Sequence, residues 1–285
     1  MKISDIIKSK EITVSCELFP PKKGEQLPQS RKVAAETAAL RPDFISVTYG
    51  AAGSTAGFTA ELAEEIENSG VPALAHITCV SSDKESLRSY LSLLRSHGIE
   101  NLLALRGDMP VGLEPKKVFG HASDLITEIK SIGGFCVGGA CYPEGHPEAE
   151  SVNADIDFLR LKADCGCEFF TTQMFFDNEI LYSFLSKLRR KGITTPVIAG
   201  IMPITNAKQI KRSVALSGTV LPRRFREIVE RFGDDQASMR QAGIAFATEQ
   251  IIDLIANGVN NVHIYTMNKP EIAGAIIGNI SEIIK

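Results

Sequence analysis

The chain has 285 residues, of which 44% are hydrophobic and 23% charged, with a formal net charge of -3. Such a balance supports a sizeable core and excludes a disordered chain, and it leaves no basic field for a nucleic-acid backbone. No run approaches 18 consecutive apolar residues, which excludes a transmembrane helix.

The N-terminal stretch of residues 1–12 is amphipathic and charged and lacks the unbroken apolar core of a secretory signal, so the expected location is the cytoplasm. Apolar, β-rich runs then follow at residues 13–19, 44–49, 73–79, 101–105, 135–141, 168–172, 196–201 and 261–265. Helical patterns separate them at 59–68, 83–97, 122–131, 148–164 and 178–191, several opening on a cap or a first-turn acid. The first seven runs recur at about 30 residues, the size of a β/α unit, and they are apolar rather than alternating, as strands covered on both faces are. Eight such units predict a (β/α)8 TIM barrel. The longer gap before the last run, with helical stretches up to Phe232 and over 236–256, predicts extra helices before the last strand. No Pro/Ser-rich linker or internal repeat divides the chain, which predicts a single domain over residues 1–285. A doubly wound open sheet is the alternative, weakened by the absence of GxGxxG and P-loop patterns.

Active sites of β/α barrels form at the C-terminal ends of the strands, and there this chain places its polar residues. Glu17 ends the first run in Cys-Glu-Leu-Phe-Pro-Pro, where apolar neighbours favour a neutral carboxyl. It is a candidate general acid or, equally, a strand-end carboxylate bonded to a loop amide. Arg106-Gly107-Asp108 ends the fourth run, either facing a ligand or pairing Arg106 with Asp108 across the turn. His76 is a candidate base or a satisfied core group, while His97 and His263 read as structural. Gln173, having no titrating proton, would orient a ligand, and the Met-Phe-Phe beside it reads as core. The loop from Tyr142 to Pro147 would open a helix whose N-terminus suits a phosphate. On that helix Asp155 and Lys162 share a face, as a ribose and phosphate clamp or as two solvated charges.

Six cysteines without CxxC spacing read as reduced, mostly buried thiols. Cys165-Gly-Cys167 lacks a second ligand pair, and no carboxylate cluster, HExxH or Ser-His-Asp pattern occurs, so no metal is expected. A rim rich in hydrogen-bonding groups with one candidate acid suits an organic cofactor that performs the electron transfer.

Seven motifs carry a resemblance: CELFPP at 16–21, SVTYGA at 46–51, AHITC at 75–79, LRGDMP at 105–110, YPEGHPEA at 142–149, TQMFFD at 172–177 and YTMN at 265–268. In this order they closely resemble the methylenetetrahydrofolate reductases over essentially the whole chain. The resemblance implies a β/α barrel that binds FAD non-covalently, with FMN less favoured, and reduces 5,10-methylenetetrahydrofolate by a ping-pong route with NADH or NADPH as donor. It implies that Glu17 is the general acid that opens the folate ring to an iminium, and that Asp108 lies beside flavin and pterin. Thr48, Tyr49, Ala51, His76, Arg106, Gly107, Asp108, Ala122, Tyr142, His146, Asp155 and Lys162 match flavin-holding positions. Glu17, Asp108, Gln173, Gln209 and Lys269 match substrate-contacting ones. Lys269 stands where bacterial members carry arginine near the folate's glutamate tail, and Ser213 stands where a stacking aromatic is expected, which puts the donor in doubt. The resemblance also implies the catalytic barrel alone, assembled as a homo-oligomer. Two rival expectations are a flavin-bearing subunit that needs an electron-transfer partner protein, and an unrelated flavin-free barrel.

Overall fold

The computed structural model describes residues 1–50, 55–107, 118–208, 210, 214 and 218–285. Eight strands, β1 (Thr13–Leu18), β2 (Ile45–Val47), β3 (Ala73–Thr78), β4 (Asn101–Leu105), β5 (Cys136–Cys141), β6 (Phe169–Thr172), β7 (Val197–Ile201) and β8 (Asn261–Tyr265), close in sequence order into a barrel. Every neighbouring pair is parallel, including β1 with β8. The described helices are α1 (Ile3–Ser9), α2 (Leu27–Ala38), α3 (Ala56–Asn68), α4 (Lys84–Ser96), α5 (Ala122–Ile132), α6 (Val152–Asp164), α7 (Asn178–Arg190), α8 (Arg223–Phe232), α9 (Gln236–Ala256) and α10 (Pro270–Asn279). This is the expected (β/α)8 barrel, with α8 and α9 between the last two strands. No described helix is long and apolar enough to cross a membrane.

Alternation along each strand sorts the side chains. Val14, Cys16 and Leu18 of β1 join the apolar layer under the helices, while Ser15 and Glu17 point into the barrel, where they meet β2 and β8. The foot of the barrel is sealed by α1, a helix hidden in the N-terminal pattern. Its Ile3 and Ile6 pack on Phe44, Leu74, Leu103, Phe169 and Ile198, and Ile3 N–H donates to Asn101 Oδ1 at 2.8 Å. Above this plug Phe169 fills the interior because Gly138 leaves it room; a Cβ at Gly138 would strike the ring.

Two sequence expectations are corrected. The helix expected from residue 148 begins at Val152, because the Ser151 side chain accepts the Ala154 N–H and caps it there. Pro147 is therefore in the preceding loop rather than at the first helical position. Met174, Phe175 and Phe176 are buried, as expected of core: Phe176 stacks on Phe225 of α8, with ring centroids 5.2 Å apart.

Candidate active site

The C-terminal ends of the strands open into a cavity of about 780 Å³, within the range of small-molecule and cofactor sites. Glu17, Thr48, Tyr49, His76, Arg106, Gly107, Ala122, Tyr142, His146, Asp155, Lys162 and Gln173 all line it. Residues scattered over 157 positions of sequence thus converge because each follows or ends a parallel strand or faces the rim from the next helix. Ala51, Asp108, Gln209 and Ser213 lie outside the described residues. Lys269 sits at the N-terminus of α10 and is absent from the cavity lining.

Glu17 lies on the cavity floor with only 8% of its surface exposed. Its Oε2 accepts from Ser46 Oγ at 3.3 Å and lies 3.6 Å from His76 Nε2 and 3.8 Å from His263 Nε2. The strand end is held from the last strand's loop: Thr266 Oγ1 donates to Glu17 O at 2.6 Å. Asn268 grips Phe19 with both ends of its amide, accepting from Phe19 N–H at 2.8 Å and donating to Phe19 O at 3.0 Å. Asn268 and the preceding Met267 adopt left-handed conformations, at φ 56° and 54°, a cost that the clamp offsets.

His76 is buried, and among the described residues its Nε2 has no hydrogen-bond partner. Burial pushes it down to about 4, with the Glu17 charge opposing the shift and His263 adding to it, so it is a neutral imidazole near pH 7. Thr171 Oγ1 is likewise buried and unpartnered at the cavity wall. Buried polar atoms without partners are uncommon in folded proteins and are accounted for where a ligand satisfies them.

The opposite rim is more charged. Asp155 is buried and accepts the His146 backbone N–H at 3.1 Å, fixing the loop between β5 and α6. His146 packs edge-on against Tyr142, with centroids 4.6 Å apart. Lys162 donates to Ala140 O at 2.9 Å, and burial lowers its pKa despite nearby Cys141, Cys167 and Asp155. Asp155 and Lys162 therefore both face the cavity and do not stand as two solvated charges. Arg106 forms a two-pronged pair with Glu148, one arm at 2.8 Å; that pair holds the Glu148 carboxyl below its ordinary range. Gln173 Oε1 accepts its neighbour's Met174 N–H at 2.9 Å, leaving the amide NH2 available to donate.

Ser46, Thr266 and Asn268 enter the sequence reading only inside the motifs at 46–51 and 265–268, with no role of their own, and His263 reads there as structural. Alternation puts Ser15 with Glu17 on one face of β1 and His263 with Tyr265 on one face of β8, but only the register of the closed barrel pairs them. Cys165 and Cys167 bear no zinc-like cluster with other ligand types among the described residues, and Cys167 Sγ donates to Phe169 O at 3.1 Å.

The family pattern described as methylenetetrahydrofolate reductase matches residues 2–281. Methylenetetrahydrofolate reductase (NADH) 1 of Arabidopsis thaliana is 34% identical, the match covering 99% of this chain and 51% of the plant protein. The 5,10-methylenetetrahydrofolate reductase of Escherichia coli is 33% identical over 93% of this chain and 90% of its own length. The chain thus spans about half the length of the plant relatives and most of the bacterial one. Among solved structures, a Clostridium thermocellum protein that binds two copies of 5-methyl-5,6,7,8-tetrahydrofolic acid shares the fold at a TM-score of 0.71 and 15% identity, covering 99% of each chain.

Proposed function

Because the chain belongs to the methylenetetrahydrofolate reductase family, we propose that it reduces 5,10-methylenetetrahydrofolate to 5-methyltetrahydrofolate in two separable half-reactions. FAD, when bound, supplies the hydride transfer from a nicotinamide donor to the folate. The observation that carries this reading is one buried carboxyl, Glu17, on the floor of a cavity lined by every described residue that matches a flavin-holding position.

The cavity residues fit a flavin: the unpartnered His76 Nε2 and Thr171 Oγ1 offer polar contacts to a heterocycle's edge. Thr48, Tyr49, Arg106, Gly107, Ala122, Tyr142, His146, Asp155 and Lys162 are the other residues that would hold the group. Glu17 gives its proton to the folate nitrogen whose bond to the bridging carbon breaks, leaving an iminium that accepts hydride. Asp108 supplies negative charge beside that cation, Gln173 and Gln209 orient the pterin, and Lys269 makes a point contact with the glutamate tail. The last three roles, and that of Asp108, rest on the resemblance.

The purified chain is expected to be yellow and to release its flavin on denaturation, and its reduced flavin is expected to be reoxidised anaerobically by methylenetetrahydrofolate. A folded, colourless protein that takes up no FAD would overturn the reading. If folate reoxidises the flavin but neither NADH nor NADPH reduces it, the donor is a partner protein rather than a nicotinamide.

A further inference from the structure

Behind Glu17 lies a row of polar groups that the proposed chemistry leaves without a task. Ser46 Oγ lies 3.3 Å from Glu17 Oε2 and 3.2 Å from His263 Nε2, with one hydroxyl proton to give to either. On the far side of the imidazole, Ser15 Oγ lies 2.7 Å from His263 Nδ1 and donates to Val262 O at 3.0 Å. With its own proton on that carbonyl, Ser15 accepts one from Nδ1, and the neutral ring offers Ser46 the lone pair of Nε2; with it on Nδ1, the shorter contact, the ring proton moves to Nε2. Ser15, Ser46 and His263 are all buried, so an unmatched donor or acceptor here is costly.

Two assignments of the Ser46 proton compete. Given to Glu17, it favours the carboxylate but, with the ring proton on Nδ1, strands the buried Nε2 lone pair. Given to His263, it satisfies the whole row, provided that Glu17 keeps its own proton and donates it to Ser46 Oγ. We propose that Ser46 and His263 are positioning residues that keep the Glu17 carboxyl protonated and aimed at the cavity, by drawing the Ser46 proton away from it. This rests on the reading of Glu17 as the acid.

The other groups facing Glu17 among the described residues are His76 and Tyr265. His76 is held uncharged by burial and so does not pull Glu17 towards the carboxylate. Burial pushes the Tyr265 hydroxyl well up, and it donates to Thr172 O rather than to Glu17. The row ends at a backbone carbonyl, so it holds a proton and does not conduct one. The acid is recharged from the cavity.

The test is stopped-flow reoxidation of the reduced flavin by methylenetetrahydrofolate as a function of pH. His263→Leu frees the Ser46 proton for Glu17, and the pH at which the rate falls away on the alkaline side is expected to drop by about one unit. His263→Gln, whose side-chain oxygen can accept from Ser46, is expected to stay near the wild type. In a Ser46→Ala background, His263→Leu is expected to cause no further shift, because its effect passes through Ser46. Flavin reduction by the donor serves as the internal control and is expected to keep its pH profile. A wild-type profile in His263→Leu overturns the proposal, as does an equal shift in both backgrounds; a wild-type flavin that folate does not reoxidise overturns the underlying function instead. If the variants do not fold, 15N chemical shifts of His263 in the wild type decide: a proton on Nδ1 and none on Nε2 is expected, and the reverse tautomer overturns the proposal.

Discussion

From β8 through β1 to β3 the inward face of the barrel is polar, with Ser15, His263, Ser46, Glu17 and His76 each within 4 Å of the next. From β5 to β7 the inward face holds Gly138, Phe169, Ile198 and Gly200, with Thr171 its polar member at the cavity. Barrel interiors are ordinarily packed with branched apolar side chains, and the second wall follows that rule with an aromatic substituting for several smaller groups. The first wall departs from it, and its polar atoms are bonded to one another except where they face the cavity. Substitutions on the polar wall should therefore be felt in rate, and those on the packed wall in stability.

The largest expected effect breaks the polar wall at its functional end. Glu17→Gln keeps the size, and its amide can donate to Ser46 as the neutral acid would, but it has no proton to give the folate. Reoxidation by methylenetetrahydrofolate is expected to fall by about 100-fold or more, while flavin reduction stays within a few-fold. Equal slowing of both half-reactions would make Glu17 a structural carboxylate. On the packed wall, Gly138→Ala drives a methyl group into the Phe169 ring. Overpacking of this kind costs about 2 kcal/mol, expected as a lower urea midpoint with the reoxidation rate of the surviving folded protein little changed. A stable Gly138→Ala variant would mean that Phe169 has somewhere to go and that this wall is looser than its packing implies.

The eight strands and their order were legible in the sequence because long apolar runs with a regular interval leave few alternatives. Residues 101–105 and 261–265 matched to the residue. Glu17, Tyr142 and Gln173 were legible for a related reason: each stands at or just past a strand end, where a barrel puts its chemistry, whereas His76 lies inside β3. The polar row was not legible. Ser15, Ser46 and His263 are ordinary residues inside apolar runs, and only the closure of β1 against both β2 and β8 brings them together. Nor was α1, whose short amphipathic pattern becomes a plug only when a barrel foot exists to receive it.

The two walls also differ in their response to pH, because His76 is a titratable group buried in the polar one. Its folded-state value, pushed by burial to about 4, lies below the ordinary 6.5. Above pH 6.5 neither folded nor unfolded chain holds the proton, and His76 contributes no pH dependence. As pH falls from 6.5 towards 4 the unfolded chain takes up the proton and the folded one does not. Stability is therefore lost, at up to about 1.4 kcal/mol per pH unit from this group. Urea unfolding at pH 7 and pH 5 is expected to show a steeper loss for the wild type than for His76→Gln. Parallel loss in the two would mean that the imidazole is protonated in the folded protein and paired with Glu17.

The smallest expected effect tests the link between the walls. Tyr265 leaves the polar wall on β8, packs edge-on against His263 with centroids 5.4 Å apart, and reaches Thr172 O on β6 at 2.5 Å. It can do so because β7 carries Gly200 in its path: a Cβ there would lie 2.6 Å from both the Tyr265 hydroxyl and Thr172 O. Tyr265→Phe keeps the ring and the contact with His263 and removes only this bond, at a cost of about 1 kcal/mol. The unfolding midpoint is expected to fall accordingly, while the alkaline limit of flavin reoxidation, set by the row behind Glu17, is expected to stay where it is. If instead that limit moves with Tyr265→Phe, the hydroxyl belongs to the acid's hydrogen-bond row, and the two walls act as one unit rather than as a reactive wall braced by a packed one.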